Sequence, residues 1–487
     1  MSKAINLKNG ELPAGWTISK LPEFTRIVMG QSPSSKTYNH NKIGLPFFQG
    51  KAEFGDIYPQ VDKYCSEPKK IAEPGATLLS VRAPVGPTNL AKERSCIGRG
   101  LAAIHPKGNI DPKFIFYLFR SIEPDISDKG TGSTFKAVTK SFVEELEFGL
   151  PPVDEQNRII AKIEGLLSEL DKGVESLKTA REQLKIYRQA VLKHAFEGKL
   201  TARWREENAD KLESPEQLLA RIQQERETRY QQQLQEWKVA VKAWEKNGKE
   251  GKQTGKPSKP LLFTADGSDN YPLPAGWTTI KLGDLAAESV LGKMLDKEKN
   301  TGTMCPYLGN INVRWGAFDL ANLKSMKIED SEKKRYGLHK DDLVICEGGE
   351  PARCAIWKGD SGKMFIQKAL HRVRFTESYD PNFAYYYIVY AAATQRIATY
   401  FTGTTIKHLT GTGLQKIEFP LCSIAEQKEI VSLLDKQLAS IEALDSEIFT
   451  GLRKSEILRQ ATLKKAFSGQ LVPQNPEQLV VQEKLAI

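Results

Sequence analysis

Apolar residues recur at Ile163, Leu167, Leu170, Val174, Leu177, Leu184 and Val191 in a proline-free stretch from Asp154 to Leu200, with mostly polar residues between them. This mixed spacing of three and four gives a helix one apolar seam, so the stretch is predicted to be a single long helix. At about 1.5 Å rise per residue it would extend roughly 70 Å, and a seam of that length needs a partner helix. The pattern returns from Ala425 to Leu471. Gln189–Leu200, QAVLKHAFEGKL, reappears as Gln460–Leu471, QATLKKAFSGQL, and the same shift carries Glu155-Gln156 onto Glu426-Gln427 and Leu177 onto Ile448. Ser423 and Glu426 have the spacing of a capping box, and Gly198 and Gly469 stand where a C-terminal glycine ends a helix. The two helices are predicted to pair antiparallel as an intramolecular coiled coil.

The duplication reaches beyond the helices. LPAGW occurs at Leu12–Trp16 and again at Leu273–Trp277. In the first copy Ala76–Val81 and Leu101–His105 read as short buried strands, and Asp111–Ser121 reads as a helix with an Asp cap and Pro at its first position. In the second copy Asp342–Glu347, Leu370–Phe375 and the helix from Asp380 take the corresponding places. The predicted fold is therefore α/β: two mixed α/β domains, 1–151 and 273–422, separated by two long helices, 152–202 and 423–472, in a pseudo-twofold duplication. A linker, 203–272, joins the halves, and a tail, 473–487, follows. Within the linker Ser214–Lys246 is predicted to be a charged helix, and Asn247–Pro260 a Gly/Lys/Pro-rich tether or a weak phosphate contact.

With 487 residues the chain is long enough for two or three domains with their own cores, and its net charge of +10 points to a polyanionic partner. No apolar run is long enough to span a bilayer and no signal peptide follows Met1, so the expected location is cytoplasmic. The six cysteines contain no C-x-x-C pair, which speaks against a zinc site or a disulfide framework. The candidate phosphate loop at Gly255-Lys256 is followed by Pro257, and no H-E-x-x-H or G-x-S-x-G is present. Asp380–Phe383, DPNF, departs at its third residue from the D/N-P-P-Y/F signature of amino-methyltransferases. It matches Asp111–Phe114, DPKF, and both are read as helix starts. No catalytic residue, metal ligand or cofactor site is assigned.

Two unlike domains on a paired-helix spacer suit a linear object read in two places, and a pseudo-twofold axis matches the local dyad of duplex DNA. The E-Q-x-x-I helix openings, the QAVLKHAFEGKL and QATLKKAFSGQL endings and the LPAGW starts resemble those of the specificity subunits of type I restriction-modification systems. The resemblance covers almost the full chain. It implies a non-catalytic subunit with two target recognition domains that read the halves of a split, asymmetric DNA site. It further implies docking of two methyltransferase subunits on the helices, adenine N6 methylation on opposite strands, and recruitment of motor-nuclease subunits. S-adenosylmethionine, ATP and Mg would then be held by those partners. Glu155, Gln156, Ile159, Glu426, Gln427 and Ile430 are the expected partner-binding residues, and the polar breaks in the seam at Arg181, Arg188, Asp445 and Ser455 are a second expected docking surface.

Candidate DNA-binding residues lie where the halves differ. In the first half Arg82 and Arg99 stand beside glycines and prolines, and arginine suits the paired acceptors of guanine. In the second half Glu347, Glu350, Arg353, Gln367, Lys368 and Arg372 are candidates, since glutamate can accept from cytosine and glutamine can pair with adenine. For each of these a loop-fixing hydrogen bond or salt bridge is the competing reading. Gln49 and Lys51, with Asn310 and Asn312, mark a second loop in each half. The glycine-hydroxyl turns with Ser133 and Lys136, and with Thr404 and Lys407, suit phosphate contact or serve as simple turns. Tyr385, Tyr386 and Tyr387 are read as helix packing.

Overall fold

The computed structural model describes residues 4–7, 12–129, 137–249, 253, 255–260, 273–296, 298 and 300–474. Two compact units emerge, Met1–Ala180 with Glu447–Ile487, and Arg181–Ser446. The division passes through both long helices, Val153–Phe196 and Ile424–Phe467, so each unit takes one part of each.

In the first unit β2 (Thr25–Met29), β4 (Thr77–Ser80), β5 (Thr88–Leu90) and β7 (Leu101–Pro106) form an antiparallel sheet in the order β2-β7-β4-β5. Ala102 pairs with Met29 on one side and Leu79 on the other. A parallel pair joins β3 (Leu45–Phe48) to β6 (Ser95–Ile97), and β1 (Thr17–Lys20) pairs antiparallel with β8 (Glu147–Leu150). The helix Pro112–Ser121 starts where expected: the Asp111 carboxylate accepts from Lys113 N at 2.7 Å, satisfying a free donor of the first turn. That helix buries Phe114, whose ring meets Phe467 edge-on at 5.3 Å. The core thus joins Ile159, Ile163 and Leu167 of the first long helix to Leu463, Ala466 and Phe467 of the second. Arg459 pairs with Asp171, and a Cβ on Gly451 would lie 3.1 Å from Leu177. Positions thus fall along one helix as they rise along the other, as in an antiparallel pair.

The second unit repeats the four-stranded sheet, the parallel pair and the closing antiparallel pair, while the strands flanking the parallel pair differ. β10 (Ala286–Leu291), β12 (Leu343–Cys346), β13 (Cys354–Ile356) and β15 (Leu370–Phe375) form a sheet in the order β10-β15-β12-β13. β11 (Thr303–Leu308) runs parallel to β14 (Phe365–Ile366), and β9 (Thr278–Lys281) antiparallel to β16 (Glu418–Leu421). The Asp380 carboxylate accepts from Asn382 N at 2.7 Å and Phe383 N at 3.3 Å, so DPNF is a helix cap, as DPKF is. Phe196 packs among Phe383, Tyr387 and Tyr390, and Tyr386 donates to Asp435, so this aromatic run is packing. The core takes Val191, Leu192 and Ala195 from one long helix and Ile430, Leu434 and Leu438 from the other.

The seam breaks find partners inside the chain: Arg181 meets Asp445 at 2.8 Å and Arg188 meets Glu442 at 4.0 Å in the second unit. Ser455 donates to its own helix at Gly451 O. The linker helix Pro215–Lys246 forms where expected, opened by a Ser214/Gln217 capping box, and packs on the second unit. Leu218 and Ile222, one turn apart, are buried in the second core, and Arg226 pairs with Asp284 at 3.0 Å. Two apolar residues on one face outweigh a charged average composition.

The repeated LPAGW closes each unit. Trp16 Nε1 donates to Glu155 Oε1 at 3.1 Å, and Trp277 Nε1 donates to Glu426 Oε2 at 3.0 Å. The preceding prolines sit on glycines that end the other repeat's helix: a Cβ on Gly469 would fall 2.6 Å from Pro13 Cγ, and one on Gly198 2.1 Å from Pro274 Cγ. Both glycines are left-handed, φ +74° and +67°. Gly198→Ala is therefore expected to lower stability by more than about 1 kcal/mol, the usual left-handed penalty, because a clash adds to it. Gly173→Ala, in a helix interior with open space around the new Cβ, is expected to raise it by about 1 kcal/mol. Urea unfolding midpoints of the two variants check the opposite signs.

Candidate nucleic-acid interface

In each unit the candidate loops leave the corresponding strands. In the first, they follow β3, β4 and β6. Gly98 N donates to Phe48 O at 2.8 Å and Val81 N to Gly100 O at 2.9 Å, so the three loops touch through their backbones. A Cβ on Gly100 would fall 2.2 Å from Gln49 O, which is why glycine stands beside Arg99. Ser80 Oγ donates to Arg82 O at 3.1 Å and Pro84 O at 2.7 Å, holding the backbone under Arg82. The side chains of Gln49, Lys51, Arg82 and Arg99 are exposed above this fixed frame. Ser133 and Lys136 lie outside the described residues.

In the second unit the loops after β11, β12 and β14 meet in the same way. Glu347 N donates to Ala369 O at 2.9 Å, Gln367 N to Leu308 O at 3.1 Å, and Leu409 N to Glu347 O at 2.7 Å. Here the side chains also bind one another. Asn310 donates to Gly348 O at 2.6 Å and accepts from Arg353 at 2.7 Å. Arg353 also reaches Glu350 at 2.9 Å, and Glu350 accepts from the Trp315 indole at 2.7 Å. Lys368, Thr404 and Lys407 are exposed; Glu347 and Gln367 are half-buried. Trp315, at the rim of this network, was not among the expected residues; an aromatic after the Asn-rich turn GNINVR is the signal that marks it.

Arg372 and Asn312 leave the candidate set. Arg372 is fully buried, donating to Gly337 O at 2.8 Å and pairing with Glu288, and burial lowers its pKa. Neighbouring Arg374 binds Asp342 through two bonds of 2.7 and 2.8 Å. Asn312 is buried and caps its own turn, accepting from Gly309 N at 2.9 Å and donating to Asp319 O at 2.9 Å. Arg372→Ala is expected to destabilise the protein by about 3 kcal/mol, since it empties a fully buried site, strips Gly337 O of its donor and leaves half-buried Glu288 to Arg374 alone. Arg99→Ala is expected to leave the thermal midpoint in place. Differential scanning calorimetry separates the two.

The expected partner-binding residues are also inside. Glu155, Gln156, Ile159, Glu426, Gln427 and Ile430 are all buried. Gln156 donates to Pro151 O at 3.0 Å and Gln427 to Cys422 O at 2.8 Å, while Glu426 also accepts from Thr201 at 2.7 Å and Arg205 at 2.5 Å. Their recurrence marks a shared internal joint, so they offer a partner no surface. Burial raises the Glu155 pKa against the opposing Trp16 bond. The folded chain therefore holds this proton more tightly than the unfolded chain, and stability declines as pH climbs from the ordinary glutamate value through the raised one. Glu155→Gln, which keeps an acceptor for Trp16, is expected to remove that decline. Urea midpoints measured from pH 4 to pH 7 report it.

Among the described residues no helix is long and apolar enough to cross a membrane. The family described as "Type I restriction modification DNA specificity domain" matches residues 13–185 and 274–448. The putative type I restriction enzyme MjaX specificity subunit of Methanocaldococcus jannaschii is 39% identical over 194 residues, 39% of this chain and 45% of that protein. The chain thus spans less than half the length of that relative. The type I restriction enzyme EcoKI specificity subunit of Escherichia coli K12 is 21% identical over 490 residues, 96% of this chain and 91% of its own. A solved chain from work on complex assembly and conformational transition of the type I R-M system superposes with a TM-score of 0.65 at 16% identity, covering 94% of this chain and 99% of its own. The HsdS subunit of Thermoanaerobacter tengcongensis superposes at 0.52 with 17% identity, covering 95% and 99%. The two matched segments each take in the PAGW of one repeat, one α/β domain and more than half of one long helix, and on that correspondence this chain belongs to the family of type I restriction-modification DNA specificity subunits.

Proposed function

We propose that the two units read the two halves of a split, asymmetric duplex sequence, and that the chain itself catalyses nothing. The observation that carries this reading is the matched pair of frames. The four-stranded sheets, the parallel pairs and the closing antiparallel pairs correspond, yet Gln49, Arg82 and Arg99 stand on one frame where Asn310, Glu350 and Gln367 stand on the other. Equal mounts with unequal side chains suit two different words in DNA. Exposed Lys51, Lys368 and Lys407 supply phosphate contacts that position without discriminating.

Two methyltransferase subunits dock on the outward faces of the long helices, bring S-adenosylmethionine and methylate adenine N6 on opposite strands. Motor-nuclease subunits using ATP and Mg complete the assembly. The buried residues at the helix openings cannot serve this docking, but Phe449, Ile457 and Leu458 in the first unit and Ile186, Tyr187 and Leu444 in the second are exposed apolar residues on the same helices. Ile457→Asp is expected to strip the methyltransferase from the chain in sizing chromatography without changing the melting temperature. Co-elution of an unaltered complex would move the docking face elsewhere.

Mapping N6-methyladenine in DNA exposed to the assembled enzyme tests the central reading, for which a split motif is the expected result. Arg82→Ala should then weaken only duplexes carrying the first half-sequence, by about 1–3 kcal/mol if its contact is bidentate. Lys407→Ala should weaken all duplexes alike and make the salt dependence shallower. A motif in one uninterrupted word overturns the reading.

A further inference from the structure

Ile311 and Ile406 in the second unit are 63% and 64% exposed, although both stand on the loops of the candidate interface. Ile311 is the middle residue of the turn Asn310–Asn312. That turn is tied by Asn312 N to Gly309 O at 3.0 Å and by Gly309 N to Asn312 Oδ1 at 2.9 Å, and Arg314 donates to the Ile311 carbonyl. Ile406 lies in a hairpin closed by reciprocal backbone bonds between Thr402 and His408, 2.8 Å each. Both loops rest on one residue: Asn310 donates to Gly348 O at 2.6 Å, and a Cβ on Gly348 would fall 2.9 Å from His408 Nδ1.

Leaving a branched apolar side chain in water forgoes the stabilisation that burial would return. Here two are held in water on braced backbones, so little ordering entropy remains to be lost when a ligand covers them. Their neighbours narrow the ligand. Exposed Lys407 follows Ile406 directly and favours a phosphate-bearing surface over an apolar protein face, while Arg314, exposed close to Ile311, stands 3.5 Å from Asp319. On the base edges of duplex DNA the major groove presents one apolar feature, the 5-methyl group of thymine.

We infer that Ile311 and Ile406 read thymine, taking 5-methyl groups in the major groove of the half-sequence that the second unit recognises. The inference rests on the proposed two-unit reading of DNA. It also fits the proposed product, because every adenine to be methylated brings a thymine as its pairing partner.

The test uses the full chain assembled with its methyltransferase subunits and duplexes carrying the mapped motif. Each thymine in the half left untouched by Arg82→Ala is replaced in turn by deoxyuracil, which deletes the methyl group and keeps the pairing. At least one replacement is expected to weaken binding about fourfold, the equivalent of one buried methyl group. The same replacement should cost nothing further in Ile311→Ala or Ile406→Ala, while replacements in the other half act equally on all three proteins. A flat scan, or a penalty that persists in both variants, overturns the inference and leaves the two-unit reading standing. Loss of motif preference by the unsubstituted assembly overturns both. Both isoleucines are exposed, so the variants should keep the parent melting temperature, and melting curves identify a binding loss that comes from misfolding.

Discussion

A carboxylate buried at the first turn of each long helix, held by the indole of a repeated tryptophan, is the contact on which the rest of the architecture turns. Removing a carboxylate from water is costly, and a hydrogen bond to a charged group returns only about 1.5–3 kcal/mol. The helix N-terminus offsets more of the cost, since its free N–H groups favour negative charge. At Glu426 the guanidinium of Arg205 and the hydroxyl of Thr201 add further bonds. The joint gains specificity from this expense: an indole and a carboxylate meet in one geometry, and that geometry sets where each α/β domain meets its helix. The prolines of the same motif then close on the glycine ending the other repeat's helix, so each unit is completed by residues from both copies. Neither repeat, taken as a continuous segment, contains a whole unit.

Above these joints the two interfaces are built with different economies. In the first unit backbone bonds and the Ser80 and Ser32 hydroxyls brace the loops, and the side chains of Gln49, Lys51, Arg82 and Arg99 are exposed. In the second, Asn310, Arg353, Glu350 and Trp315 brace one another, which reduces the reach of each but fixes all four. A prefixed network loses less entropy on binding and presents its donors and acceptors at set positions. The exposed isoleucines complete that arrangement, because a polar network by itself has nothing to offer a methyl group.

In the second unit buried Arg372 and Asp342 and half-buried Glu288 and Arg374 form an ionic cluster joining β10, β15 and the start of β12. Such a cluster is weak evidence for stability, since well-packed apolar residues often do as well. Its geometric effect is plainer. It ties the sheet to the start of β12 and to the turn at Gly337, at the end of the sheet away from the interface loops.

The helix seam, the caps at Asp111 and Asp380, the duplicated strands and the terminal glycines were legible in the sequence because each is a local event. A period, a capping side chain or a left-handed residue acts within a few positions of itself. The loops carrying Gln49, Arg82 and Arg99 were legible for a related reason, since glycine and proline mark where the backbone turns. Whether a polar residue faces solvent or the interior is decided by what arrives from elsewhere in the chain. Arginine at position 372 looks the same in sequence whether it meets DNA or Glu288, and Glu155 looks like a surface residue until Trp16 is placed beside it. The pairing of each domain with the far end of the opposite repeat's helix, the burial of Leu218 and Ile222, and the exposure of Ile311 and Ile406 belong to tertiary structure alone, because each depends on surfaces that are distant in sequence and become neighbours only in the folded chain.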